Sequence, residues 1–426
     1  DDGKITEKSI NPDGSETNIS EVLKGERYLK RSGDITAKAS STIEVGGENN
    51  FGFVVSNSAH SSEFEKSSPD KVSFTKDEYK WYQSYMSASP EDKAKNYTDS
   101  KYDEIKKIDH LIHKIDKEHH GIGINEGKIT VTGTGSVGFA MIKGGNSKNS
   151  GTISVGNTAK KSIAFYGEQD KFTNTGTIEA TANTDSGNEN TAVYLNGKND
   201  NNKIHFKNEG NISLKEKTAG SGAKDNVAVY AQGNYLLEHN AGAIDVAASG
   251  VGLYLKGDKG GTANIASTIK LQDNTSDNTT IGVYSDGDAN VNFKAGSKLE
   301  IGKGGIGLYS KDVAKFNTTF RIENKLKTTL GENSALAYLK GDNAKTTNVG
   351  DFLSKIELET NMGANSNLIY TTGGTKAILD KDTTIVKGTS DSTSVLSAND
   401  GSTVEVAAGK QLLTNTHTAL LANNAT

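Results

Sequence analysis

Asp109, His110, His113, Asp116, His119 and His120 crowd one short stretch of this 426-residue chain. On a helix, His110 with His113, or His113 with Asp116 and His120, would bring ligands to one face, as a zinc site requires. No Glu or Cys completes a recognised ligand spacing, so the cluster reads as the solvated edge of an apolar seam. Asp286-Gly287-Asp288-Ala289-Asn290 opens like a calcium loop. Val291 stands where that loop needs its Gly and Ser297 where it needs its Glu, which favours a plain turn. Lys256-Gly257-Asp258 and Lys340-Gly341-Asp342 resemble tripeptides read by cell-surface receptors, although a turn asks for the same residue types. Polysaccharide cleavage would need clustered Asp, Arg and Lys. No carboxylates recur at matching places in neighbouring repeats, and of 48 basic residues only Arg27, Arg31 and Arg321 are arginines. No catalytic residue, metal or cofactor is assigned from these motifs.

What positions them is a line that keeps returning: aliphatic, Gly or Ala, aliphatic, Tyr, usually with Gly three residues on. Val251-Gly252-Leu253-Tyr254 and Ile281-Gly282-Val283-Tyr284 are typical. The copies place Tyr166, Tyr194, Tyr230, Tyr254, Tyr284, Tyr309, Tyr338 and Tyr370 between 24 and 36 residues apart. Self-similarity at such a period marks a solenoid. Each copy is followed by alternating runs such as Asn174-Thr175-Gly176-Thr177-Ile178 or Lys298-Leu299-Glu300-Ile301, ended by Gly, Asn or Asp. These are strands with one wet face. A strand pair so small buries its apolar face only by stacking like on like. The expected fold is an all-β solenoid, a right-handed parallel β-helix with a small inserted α-helical hairpin. Alternation from the aliphatics at minus one and minus three puts Tyr outside, with the small residue at minus two beside it.

Composition agrees. Only 33% of residues are hydrophobic and 47 are Gly, which suits a thin solenoid with crowded turns. The net charge of −5 points to neither nucleic acid nor an anionic membrane. Cysteine is absent, so the fold uses neither disulfides nor thiolate sites. The chain lacks an initiating Met, a signal peptide and a polar capping unit after Thr418-Ala419-Leu420-Leu421, and so reads as a piece of a longer protein.

Residues 1–57 read as N-terminal rungs, with a short helix or a loop between Asn18 and Lys30, and 122–426 as rungs of about 29 residues. Between them, 58–121 is an insertion holding two of three prolines, the single Trp and five of fifteen tyrosines. Thr75-Lys76-Asp77-Glu78 is a capping box opening a helix to about Ser87. Ser89 caps a turn begun by Pro90. A second helix from Lys101 to about His119 carries the Ile105, Ile108, Ile112 and Ile115 seam. Tyr79, Trp81, Tyr82, Tyr85, Tyr97 and Tyr102 are the candidate partner-binding residues, because such rings bury large areas with few rotors.

The Gly252-Leu253-Tyr254 form, alternating with Asn-x-Gly-Thr-Ile lines, resembles the passenger repeats of very large fusobacterial-type autotransporter adhesins. The resemblance covers about 122–426 and, more weakly, 1–56. It implies a monomeric β-helix stalk on the cell surface, secreted by the type V route and held in the outer membrane through a C-terminal barrel absent from this sequence. It implies adhesion, hence virulence, through a protein or glycan on host cells or other bacteria, and supplies no transferable binding residues. The alternative is an extracellular polysaccharide-processing β-helix enzyme.

Overall fold

The computed structural model describes residues 27–28, 35–56, 71–72, 84–85, 87–89, 92–93, 122–143, 145–183, 185, 187–197, 203–218, 220–257, 260–274, 279–287, 289–341, 345–387 and 392–423. The chain divides into two compact units. The first comprises Asp1–Ile35, Val55–Ile122 and Lys143–Gly145; the second comprises Thr36–Val54, Gly123–Ile142 and Asn146–Thr426.

The second unit is a right-handed parallel β-helix. Each turn lays down three strands, such as Val227–Gly233, Tyr235–His239 and Ala243–Val246, before the next begins at Val251–Gly257. Strands of the same kind pair in parallel with the turns before and after. A 12-stranded tyrosine sheet runs from Phe51–Ser56 to Thr418–Asn423. A 9-stranded asparagine sheet runs from Ile35–Ala37 to Phe320–Ile322, and a 10-stranded aliphatic sheet from Thr42–Val45 to Ile356–Leu358.

Like stacks on like in the core. Ile129, Ile153, Ile178, Ile212, Ile244, Ile269 and Leu299 pair in sequence along the aliphatic sheet, all fully buried. Val229, Leu253, Val283 and Leu308 form the facing column, also at 0% exposure. At the N-terminal end of the helix, phenylalanines fill the space. Phe53 stacks on Phe139 at 4.6 Å, and Phe165 meets Phe172 at 3.9 Å.

Buried polar groups follow the same rule. The strands of the asparagine sheet end in Asn125, Asn149, Asn174 and Asn208, each fully buried. The Nδ2 of each donates to the Oδ1 of the next at 2.7 Å. Each Nδ2 also donates to the carbonyl two residues on, at Gly127, Gly151, Gly176 and Gly210. A Cβ on Gly151, Gly176 or Gly210 would collide with the carbonyl of the glycine one turn back, so the Asn-x-Gly spacing meets two needs at once. The ladder closes on His239. Asn208 Nδ2 donates to its Nδ1 at 3.0 Å, which leaves the proton on Nε2 to bond the Thr268 carbonyl at 3.0 Å. A second ladder lines the corner before the tyrosine strands. Backbone N–H groups of Ser136, Ser162 and Asn190 donate to the side-chain oxygens of Ser162, Asn190 and Asn226. The residue before that ladder takes positive φ in turn after turn: Lys161, Asp225, Ser249, Gly304, Asn333 and Asn365.

In the first unit, Arg27–Tyr28 pairs antiparallel with Lys71–Val72. At these two residues this replaces the helix or loop expected between Asn18 and Lys30, because a partner so distant in sequence leaves no local pattern, and the rest of that stretch lies outside the described residues. Ser84, Tyr85 and Ser87 are helical. Ser89 is a true cap: the Asp92 N–H donates to its Oγ at 3.2 Å, and Oγ–H donates back to the Asp92 carboxylate at 2.7 Å. The rest of the expected hairpin lies outside the described residues. Among those residues no helix is long and apolar enough to cross a membrane.

Two outcomes follow from this packing. Leu253→Asp would bury an unpaired charge and cost several kcal/mol, about 3–5. Because turns touch mainly their neighbours, hydrogen exchange should rise most between residues 227 and 287, and a uniform rise out to residues 36 and 420 would contradict the local coupling. The second outcome concerns acid. Burial holds the His239 imidazole below its ordinary value of 6.5. The folded state therefore takes up this proton later than the unfolded state does. The stability it confers is complete above about 6.5 and drains away below it. His239→Asn, which continues the ladder without a titrating group, should shrink the fall in melting temperature between pH 7.5 and pH 5; an unchanged fall would count against the neutral cap.

Candidate binding face

The tyrosine strands carry a break in alternation that places their side chains. In Val251–Gly257 the first residue is half-exposed, Gly252 and Leu253 are both buried, Tyr254 is half-exposed and Leu255 is buried. The same pattern holds in Thr191–Gly197 and Val227–Gly233. Backbone pairing matches Val251 with Ile281 and Leu253 with Val283 and skips the small residue between. This corrects the strict alternation read from sequence. The residue at minus two faces inward and the residue at minus three shares the outer face with Tyr. At Gly252 and Gly307 the space is tight both along the stack and across it, since a Cβ there would meet the Gly282 or Leu336 carbonyl of the next turn and Val246, or Leu299 and Ile301, of the opposite sheet; Leu336 and Leu368 fill the same inward place later in the helix.

On the outside, Tyr166, Tyr194, Tyr230, Tyr254, Tyr284, Tyr309, Tyr338 and Tyr370 pair ring on ring in register. Adjacent centroids lie 4.8–5.5 Å apart with planes within 9–26°. Ala140 precedes the ladder and Ser397 follows it. Two residues beyond each Tyr runs a polar row: Glu168, Asn196, Gln232, Lys256, Asp286, Lys311, Lys340 and Thr372. The Tyr166 hydroxyl donates to Glu168 Oε1 at 2.6 Å and accepts from Asn196 Nδ2 at 2.9 Å. Gln232 Nε2 donates to Asn196 Oδ1 at 2.9 Å, and Tyr230 donates to Gln232 at 3.3 Å. Tyr254 donates to Asp286, whose carboxylate lies 3.1 Å from Lys311 Nζ. Burial, then the Glu168 contact, pushes the Tyr166 phenol up to about 12; burial, then its phenol and carboxylate neighbours, does the same for Tyr254. Those two hydroxyls remain neutral hydrogen-bonding groups near pH 7. The face thus carries stacked rings beside a row of hydrogen-bonding groups along its length.

Other sequence candidates fare as follows. Tyr79, Trp81, Tyr82, Tyr97 and Tyr102, and the Asp109–His120 cluster, lie outside the described residues. Tyr85 is described, with Lys93 Nζ 4.7 Å from its ring centroid. Asp286 is engaged by Lys311 and Tyr254, while Asp288, Asp258 and Asp342 lie outside the described residues. Among the described residues no group of three or more His, Cys, Asp or Glu side chains is arranged to hold a metal. The nearest approach to a catalytic cluster is on the aliphatic sheet, where Asp245, Lys270 and Glu300 pair across three successive turns. Burial raises the Asp245 carboxyl above its usual range, and Lys270 opposes this. A groove of about 600 Å³ beside it is lined by Ser213, Lys215, Glu216, Gln272 and Asp273.

The asparagine ladder, the corner ladder and the inward minus-two residue were missed by sequence reasoning. Asn-x-Gly was the available signal for the first, and Ser or Asn four residues before Tyr for the second. No protein-family model, curated protein or solved structure matches the chain. The face is therefore read from its own residues.

Alkaline titration tests the buried character of these phenols. Their raised values mean that the stability they confer is full below pH 10 and is lost as pH climbs toward 12. Phenolate absorbance should therefore lag that of free tyrosine, and Tyr166→Phe should remove part of the lag. Titration of all phenols together near pH 10 would show the ladder to be solvated.

Proposed function

We propose that this chain is an adhesive segment of a surface-displayed protein, its β-helix serving as the shaft of an adhesin that attaches to host cells or other bacteria. The observation that carries this reading is the uninterrupted ladder of eight tyrosines with its outward polar row, a long surface of one repeated chemistry. Stacked rings of this kind present area without rotor entropy to lose, which suits contact with a partner. The resemblance of the repeats to fusobacterial-type autotransporter passengers supports placement outside the cell, held by an outer-membrane barrel beyond this sequence. Within this reading the insertion at 58–121 is the principal binding element, because it concentrates the Trp and a third of the tyrosines and because insertions on a repeat scaffold are shaped independently of the shaft. The partner is a cell-surface protein or glycan.

The groove at Asp245 favours the second reading, a polysaccharide-processing enzyme. Its other carboxylates are committed to turns, Asp273 accepting the Lys303 N–H at 2.8 Å and Glu216 the Gly220 N–H at 2.7 Å. Glu300 is bridged by Lys298 to Glu359.

The test is attachment of the labelled chain to intact host and bacterial cells, compared with a variant in which Ser62 to Glu118 is replaced by a short Gly/Ser linker. Binding should drop about tenfold or more while the β signal in circular dichroism persists. Undiminished binding would rule out the insertion and leave the tyrosine face; no binding by either protein, with release of oligosaccharides from a glycan substrate, would replace the adhesive reading with the enzymatic one.

A further inference from the structure

The row three residues before each Tyr, half-exposed except at the buried Ala335, changes along the helix. It reads Ile163, Thr191, Val227, Val251, Ile281 and Ile306, then shrinks to Ala335 and Asn367. Where it shrinks, the tyrosine face opens into a cavity of about 260 Å³. Its lining includes Tyr338 and Tyr370, the aliphatic Ile306 and Ala335, and the amides of Asn333, Asn365 and Asn367. No side chain of the lining carries a carboxylate, ammonium or guanidinium.

Several features of this place set it apart from the rest of the face. Asn333 and Asn365 hold positive φ at the corner, and their side-chain amides make no hydrogen bond with any described residue. Tyr370 ends the aromatic stack, since Ser397 and not another ring pairs beyond it. The hydroxyls of Tyr338 and Tyr370 have no hydrogen-bond partner among the described residues, in contrast to Tyr166, Tyr230 and Tyr254. Unengaged amides each offer donors and an acceptor, and phenols offer both from one oxygen. Aromatic edges beside neutral hydrogen-bonding groups, with no charged side chain in the lining, are matched by a ligand having an apolar face and a rim of hydroxyls. The volume lies just below the range of about 300–1,000 Å³ typical of larger ligands, which limits the occupant to one small ring.

We infer that the cavity at Tyr338 and Tyr370 is a saccharide subsite that takes one uncharged pyranose residue of a surface glycan. The ring's C–H face packs against the tyrosine edges, and its hydroxyls bond the Asn333 and Asn365 amides and the Asn367 Nδ2, the Asn367 Oδ1 being held by Ser394 Oγ. The inference deepens the adhesive reading and rests on it for the source of the glycan.

Saturation-transfer NMR on the full chain tests it, using the methyl glycosides of glucose, galactose, mannose and N-acetylglucosamine, with N-acetylneuraminic acid as the charged comparison. At least one neutral pyranoside should receive saturation. Ala335→Ile fills the cavity with the side chain the row carries at Ile281 and Ile306, and Asn365→Gly removes an amide while keeping the positive φ. Each should lower affinity about tenfold with the melting temperature preserved. Transfer to no pyranoside, equal transfer in both variants, or a preference for the charged sugar would overturn the site. Cell attachment is measured in parallel. A wild-type chain that binds cells but no pyranoside defeats the subsite and leaves the adhesive reading standing, whereas pyranoside binding without attachment does the reverse.

Discussion

In a parallel, in-register stack every side chain meets its own counterpart from the turn before and the turn after, and this repetition governs the rest of the molecule. Aliphatics gain from it directly, as the Ile129 to Leu299 column does. Polar groups gain only if the repeated group is both donor and acceptor. A carboxamide qualifies, which is why Asn occupies the buried ends of four successive strands where an isolated amide would be costly. Charges gain only by alternating. Asp245, Lys270 and Glu300 alternate on the aliphatic sheet, Lys256, Asp286 and Lys311 on the tyrosine face, and Glu179 pairs with Lys215 one turn on. Like charges directly opposed would be destabilising, and each exposed pair adds little by itself.

The same repetition separates shaft from function. A face that must satisfy its neighbours at every turn has little freedom to specialise, so on the adhesive reading proposed above recognition belongs to places where the repeat is interrupted. One is the inserted segment between residues 58 and 121; another is the change from Ile306 to Ala335 and Asn367, which opens the cavity beside Tyr338. At the cavity the column beneath stays intact: Ala337 and Ile369 continue the buried line of Leu308 without a gap.

Much of this was legible in the chain itself. The line ending in Tyr254 and its copies announces the period, the sheet and the internal column, because aliphatic spacing survives every variation in turn length. The alternation rule failed at one residue per turn. It supposes an unbroken in-and-out pleat, whereas Gly252 and Leu253, consecutive in the strand, are both buried. The amide ladder stayed hidden for another reason. Periodicity assigns faces, but that Asn149 bonds Asn174 depends on which turn lies next to which, a fact of register. The aromatic residues Trp81 and Tyr82 were legible only as composition, and their placement lies outside the described residues.

The asparagine ladder has a direction. Every amide donates toward the turn that follows in sequence, so the run ends in an acceptor at one side and a donor at the other. At the early end the Asn125 Oδ1 is buried without a partner, and at the late end the Asn208 donor is received by His239. A bare acceptor is the more tolerable of the two orphans. The ladder is thus polar along the axis, with its two ends chemically unlike and only the donor end received by a different kind of side chain.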